Sequence, residues 1–124
     1  MYMRYFGIDF GLSKIGIALG DDETKVTDIY DVIVTKGAEQ ILQKSAHHEG
    51  VNHFIVGKPN FKYIPEQEEA RVRFVEFLST IGTVTEIDES FTTKESQALQ
   101  KAGKQGKEDA IAAQLILDAY FSQL

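Results

Sequence analysis

The chain contains no cysteine among its 124 residues. This absence excludes disulfide bonds and thiolate metal sites. No apolar run approaches the length of a membrane span, and the first residues, from Met1 to Arg4, do not resemble a signal peptide. We therefore expect a cytoplasmic protein that makes no membrane contact.

Positive charge is scarce, with 13 lysines and arginines against 19 acids and a net charge of −6. This balance disfavours broad binding to nucleic acid, because such binding relies on basic contacts to phosphates. A local basic strip can still coexist with an acidic remainder. With 43% hydrophobic and 26% charged residues, the composition indicates one globular domain, residues 1–124, that is able to bury a core.

The apolar patterns predict an α/β protein with the element order βββαβαβαα. Three short apolar runs joined by polar links favour an antiparallel meander, near residues 5–10, 15–19 and 29–34. The later strands, near 53–56 and 84–87, alternate with helical patterns, which favours parallel pairing with right-handed crossovers. A capping-box spacing predicts a further helix that begins near Thr93. We expect a mixed five-stranded sheet with helices on both faces.

Acidic residues stand at the ends of several predicted elements. Asp9 ends the first strand, Asp88 and Glu89 follow the fifth, and Asp109 opens the last helix. Carboxylates that gather in this way repel one another unless a hard cation holds them. The pattern predicts a magnesium-dependent site for phosphoryl transfer or for nuclease chemistry.

Simpler explanations exist for the first three of these acids. Asp9 precedes Phe10 and Gly11, and an Asp-x-Gly sequence is common in turns where the carboxylate caps nearby N–H groups. Asp88 and Glu89 are also explained as a solvated surface pair before a helix.

Asp109 is the more informative acid, although the helix dipole also favours acids in a first helical turn. Its helical neighbours at i+3, i+4 and i+7 are Ala112, Ala113 and Ile116, which mark the buried face. Glu108 satisfies the dipole equally well and points elsewhere. The inward direction of Asp109 therefore indicates another partner, and a metal ion is one.

Lysines near the predicted strand and helix ends are candidate phosphate contacts. Lys58 lies in a loop with Gly57 and Pro59, which is explained equally well as a plain strand-to-helix connection. Lys104 and Lys107 precede Asp109 and form the best candidate basic strip, although such spacing is also typical of a solvated face.

Four segments together resemble the YqgF family, also called RuvX, of Holliday junction resolvases and pre-16S rRNA nucleases. Residues 6–18 resemble its opening strand and turn, and residues 56–59 its Val-Gly-x-Pro loop. Residues 88–93 are similar to its Asp-Glu-Arg-x-Thr-Thr segment, and residues 107–117 to its closing Lys-x-Asp-x-x-Ala-Ala helix. The resemblance covers nearly the whole chain.

The resemblance implies an RNase H-like fold and cleavage of nucleic acid, either in the maturation of the 16S rRNA 5′ end or in the resolution of branched DNA. It also implies that Asp9, Glu89 and Asp109 are catalytic ligands of Mg²⁺ or Mn²⁺, with Asp88 as an adjacent ligand. The active protein would be a monomer or a homodimer.

Two departures from the family pattern keep other functions open. Ser90 stands where the family has arginine, and the loop from Asn60 to Ile64 is shorter than usual. The alternative is therefore a catalytically weakened domain that binds nucleic acid or protein. A phosphotransferase of the actin and sugar-kinase type is a third class, but those enzymes need two such domains to enclose ATP.

Overall fold

The computed structural model describes residues 3–58, 64–88 and 107–124. Their elements are β1 Arg4–Phe10, β2 Lys14–Asp21, β3 Thr27–Val34, α1 Ala38–Glu49, β4 Val51–Lys58, α2 Pro65–Ile81, β5 Thr83–Asp88 and α3 Glu108–Phe121. The succession of elements agrees with the predicted order. The additional helix predicted near Thr93 falls outside the described residues.

The five strands form one mixed sheet in the order β3-β2-β1-β4-β5. Strands β1, β2 and β3 pair antiparallel, whereas β4 pairs parallel with β1 and with β5. The predicted meander and parallel pairs are both confirmed. Because of these directions, the carboxyl ends of β1, β4 and β5 and the beginning of β2 lie at the same edge of the sheet.

Backbone-specific residues set the limits of two helices. Gly50 adopts a left-handed φ of 69°, and its N–H donates to the carbonyl oxygens of Ala46 and His47, which ends α1. Pro65 occupies the first turn of α2, where its missing N–H costs no intrahelical hydrogen bond.

The two faces of the sheet carry separate hydrophobic layers. Helices α1 and α2 cover one face, where the core includes Phe6, Ile8, Ile15, Ile17, Leu42, Phe54, Phe74 and Leu78. Helix α3 covers the other face, where the core includes Tyr5, Ala18, Ile55, Ile87, Ala113, Ile116, Leu117 and Phe121. Side chains alternate between faces along a strand, so these two layers assign the positions of β1, β2 and β5, and those of β4 beyond its register shift near Val51, to a side. No helix within the described ranges is long and apolar enough to span a membrane.

Candidate functional site

Helix α3 lies directly against strands β1 and β2 because glycines leave room for its backbone. A Cβ atom at Gly16 would overlap the carbonyl oxygen of Asp109, and one at Gly7 would lie 2.5 Å from the carbonyl oxygen of Ala113. Only a residue without a side chain permits so close an approach between backbones. The first turn of α3 is therefore seated on the beginning of β2.

Asp9 is the residue of β1 that pairs with Gly16. Residues directly opposed in an antiparallel pair point to the same face, with Cα atoms about 5 Å apart. The Asp9 side chain therefore leaves the sheet on the face that carries α3, next to the helix turn that contains Asp109. Both aspartates are half-buried, whereas Glu108 is exposed. The structure thus brings Asp9 and Asp109 to one corner of the sheet.

Polar contacts to β3 hold α3 in this position. The Gln114 side-chain amide donates to the carbonyl oxygen of Thr27 at 2.9 Å. The Thr27 hydroxyl donates to the Asp118 carboxylate at 2.5 Å. Together with the close contacts at Gly7 and Gly16, these hydrogen bonds restrict rotation of the helix about its axis, so the direction of Asp109 is defined by the fold.

The turn that follows Asp9 is tied to the end of β3. The Thr35 hydroxyl donates to the carbonyl oxygen of Gly11 at 2.8 Å, and the Thr35 N–H donates to the carbonyl oxygen of Ser13 at 2.9 Å. These bonds satisfy turn carbonyls that would otherwise depend on water. They also fix the backbone that leads out of Asp9.

The other predicted acids have different positions. Asp88 is the exposed last residue of β5, opposite Lys58 of β4. Glu86 lies two residues earlier and binds Arg71 of α2, so strand alternation assigns Asp88 to the α2 face of the sheet, opposite the face of Asp9. Glu89 lies outside the described residues. A metal-binding role for either residue remains a prediction.

The predicted lysines also divide between the two faces. Lys58 lies on the α2 face. The pKa of the Glu68 carboxyl there is lowered first by a hydrogen bond from Arg71 and in smaller part by the nearby charge of Lys58. Lys107 is exposed and directly precedes α3, on the side of Asp109. Lys104 lies outside the part of the chain that the structure describes.

The donor chemistry of the corner suits a hard divalent cation. Asp9 and Asp109 provide carboxylate oxygens, which Mg²⁺ and Mn²⁺ prefer as ligands. Residues 3–58, 64–88 and 107–124 contain no group of three or more histidine or acidic side chains positioned to hold a metal ion. The described part of the chain therefore provides two carboxylates on one face, and any third ligand must come from elsewhere.

A buried arginine near the same edge was not predicted. Arg71 is 3% exposed, and its Nε and Nη2 donate to the two carboxylate oxygens of Glu68 at 2.8 and 3.0 Å. Its Nη1 donates to Glu86 at 2.9 Å. The hydrogen bonds to Glu68, and to a smaller extent the one to Glu86, raise the pKa of Arg71, whereas its burial acts to lower the pKa. One signal was available, since Glu86 stands among the apolar residues of a strand and shares a face with Val84.

Solved structures identify the fold. The chain is similar to the RuvC protein of Thermus thermophilus in complex with a Holliday junction substrate, with a TM-score of 0.68 and 13% identity over 98% of this chain and 96% of that one. It is also similar to the fowlpox virus resolvase in complex with Holliday junction DNA, with a TM-score of 0.62 and 17% identity over 98% of both chains. The fold is RNase H-like, as predicted.

Sequence comparisons then identify the family. Residues 3–123 match the family model for RuvX, which is described as a Holliday junction resolvase. Relatives from Mycoplasma pneumoniae and Thermus thermophilus are 34% and 31% identical, and the alignments cover 98% of this chain and 97% and 98% of those proteins. Both carry the name "Putative pre-16S rRNA nuclease". The chain belongs to the RuvX family, which confirms the resemblance seen in the four segments.

Proposed function

We propose that this protein is a nuclease that hydrolyses phosphodiester bonds of structured nucleic acid with the help of Mg²⁺ or Mn²⁺. The observation that supports the proposal most is the pairing of Asp9 with Gly16, on which the Asp109 backbone is packed. Two acids that are 100 residues apart in the chain thereby share one corner of an RNase H-like fold. Membership of the RuvX family supports the same chemistry.

In this proposal Asp9, Glu89 and Asp109 act as metal ligands rather than as general acids, so no histidine is required. Bound divalent ions would activate the attacking water and stabilise the leaving oxygen. Asp9 lies on a central strand and Asp109 on a helix seated on that strand, so both carboxylates are held by rigid elements. We rank Asp88 below Glu89 as a candidate metal ligand, because alternation along β5 assigns Asp88 to the α2 face of the sheet.

The proposed substrate is the 5′ end of pre-16S rRNA, with a Holliday junction as the second possibility. The curated relatives carry the name of an rRNA nuclease, whereas the family model carries that of a junction resolvase. Lys58, Lys104 and Lys107 are the proposed phosphate contacts. A junction resolvase is expected to be a two-fold dimer because it cuts symmetrically, whereas an RNA nuclease can act as a monomer.

The test is a direct comparison of two labelled substrates, a pre-16S rRNA fragment and a four-way DNA junction, with Mn²⁺, with Mg²⁺ and with chelator. We expect metal-dependent cleavage that Asp9→Asn abolishes. Asp28→Asn is the matched control, because Asp28 is an exposed acid of β3 that pairs with Leu19 at the opposite end of β2. Full activity of a folded Asp9→Asn variant would refute the assignment.

A second candidate function is a nucleic-acid-binding domain without efficient catalysis. The serine at position 90 and the net charge of −6 favour it, since both reduce the positive charge available to a substrate. Calorimetric titration separates the two functions. Absence of Mn²⁺ and Mg²⁺ binding at millimolar concentrations, together with retained binding of nucleic acid, would favour the second.

A further inference from the structure

Lys14 is a basic residue that lies on the same face of the sheet as the two aspartates. It is the first residue of β2, two positions before Gly16. Gly16 and Ala18 both pack against α3, whereas the isoleucines between and beside them belong to the opposite core. Strand alternation therefore directs Lys14 towards the face of Asp9 and Asp109.

Helix α3 does not cover this lysine. The first turn of α3 rests on Gly16, and Lys14 lies beyond it towards the edge of the sheet, where it is exposed. Two residues along a strand span about 7 Å and paired strands are about 5 Å apart, which places the Cα atoms of Lys14 and Asp9 roughly 8 Å from each other. A lysine side chain at this position can reach a ligand bound at the aspartates.

The two arginines that form ion pairs within the described residues differ from Lys14 in having carboxylate partners. Arg4 is paired with Glu49 at 3.4 Å, and Arg71 with Glu68 and Glu86. Within residues 3–58, 64–88 and 107–124, the structure shows no carboxylate paired with Lys14. An exposed ammonium beside two acids, in a protein of net charge −6, counters the repulsion that a polyanion meets at this corner.

We infer that Lys14 contacts a backbone phosphate next to the bond that is cut, on the α3 face of the sheet. This inference rests on the proposed nuclease function and adds a residue to its substrate-binding surface. Lys107, exposed at the start of α3, lies on the same face and is the second cation of this surface. Lys58 lies on the other face, beside Glu68, so a phosphate contact of Lys58 would be made with a different part of the substrate.

The experiment measures binding rather than cleavage, so that it stays informative if catalysis is weak. Fluorescence anisotropy gives the affinity for the rRNA fragment and for the junction, without divalent ions, from 50 to 200 mM salt. Loss of one phosphate contact reduces the slope of log K against log salt by about 1. The ratio of wild-type to Lys14→Gln affinity should therefore shrink about fourfold across this fourfold range of salt concentration.

Two further variants control for other effects of the substitution. Lys14→Arg keeps the charge and should keep the salt slope. Lys44→Gln removes the same charge from an exposed position on α1, which packs against the opposite face of the sheet, and should leave the slope unchanged. Because Lys14 is exposed, Lys14→Gln is expected to melt within a few degrees of wild type, which circular dichroism checks.

The outcomes separate this inference from the proposed function. A reduced slope in Lys14→Gln alone supports the inference even if no cleavage is seen. An unchanged slope in Lys14→Gln, with normal binding by the wild type, overturns the role of Lys14 and leaves the nuclease proposal intact. No binding of either nucleic acid by the wild type, both without divalent ions and with added Ca²⁺, overturns both.

Discussion

Replacing Gly16 with alanine tests the link between the packing of α3 and the chemistry at its start. The new Cβ would overlap the carbonyl group of Asp109 and approach the amide nitrogen of Ala110. These are backbone atoms, so no side-chain rotation can relieve the overlap. The first turn of α3 must instead move away from β2, and it takes Asp109 away from Asp9.

The size of the effect follows from the size of this displacement. Restoring van der Waals separation requires a shift of about 1 Å or more, since carbon atoms in contact lie about 3.5–4.0 Å apart. A misplacement of about 1 Å at a catalytic site costs on the order of 100-fold in rate. Overpacking of this kind also destabilises a fold by about 1–3 kcal/mol. We therefore expect Gly16→Ala to lose about 100-fold in cleavage rate at a temperature where it remains folded.

Gly82→Ala is the matched control for the loss of stability. A Cβ at Gly82 would overlap the carbonyl oxygen of Asn52 and press on the Phe54 ring, at the end of the sheet far from Asp9. Urea unfolding gives the stability of both variants, and single-turnover cleavage at saturating metal gives the rate. If Gly16→Ala cleaves within threefold of wild type while both variants lose similar stability, the packing of α3 on Gly16 does not position Asp109 for cleavage.

Three other predictions concern polar contacts near the edge of the sheet at which β1, β4 and β5 end. Arg71→Met should lower the free energy of unfolding by about 1–3 kcal/mol, measured in urea, because the partly exposed Glu68 and Glu86 can be hydrated. The double variant Glu68→Gln, Glu86→Gln should lower it by about 3–5 kcal/mol, because it leaves the buried Arg71 cation without a counter-charge. Similar losses in the two variants would contradict this. The lowered pKa of Glu68 stabilises the fold above the ordinary glutamate pKa of about 4.3, and this contribution is lost as the pH falls through the lower native value. The difference in unfolding free energy between wild type and Glu68→Gln should then shrink as the pH is lowered. A difference that grows would contradict the lowered pKa of Glu68. Thr35→Val removes the hydroxyl that donates to the Gly11 carbonyl oxygen, so it should lower the free energy of unfolding by about 1 kcal/mol and slow cleavage. Unchanged cleavage would show that this turn does not help to position Asp9.

Much of the fold could be predicted because its determinants are local. Runs of β-branched and aromatic residues marked the strands, and Gly50 and Pro65 marked helix limits through backbone geometry alone. The inward direction of Asp109 was also readable, since it shares a helix face with Ala113 and Ile116, both of which are buried.

The features that were missed depend on pairing between distant segments. Burial of Arg71 requires Glu86 to arrive from β5, and that register follows only from the assembled sheet. Lys58 and Asp88 looked equivalent to Asp9 as strand-end residues, yet alternation assigns them to the other face. The role of Gly16 was hidden for the same reason, because the backbone it admits comes from residue 109.

The central claim is that Asp9 and Asp109 hold the same divalent ion, and Mn²⁺ titration by calorimetry tests it most directly. Asp9→Asn, Asp109→Asn and the double variant should each lose Mn²⁺ affinity to a similar extent, because removal of either ligand disrupts one shared site, whereas Asp28→Asn should bind as wild type. Wild-type Mn²⁺ affinity in folded Asp109→Asn, or additive losses in the double variant, would contradict a shared site.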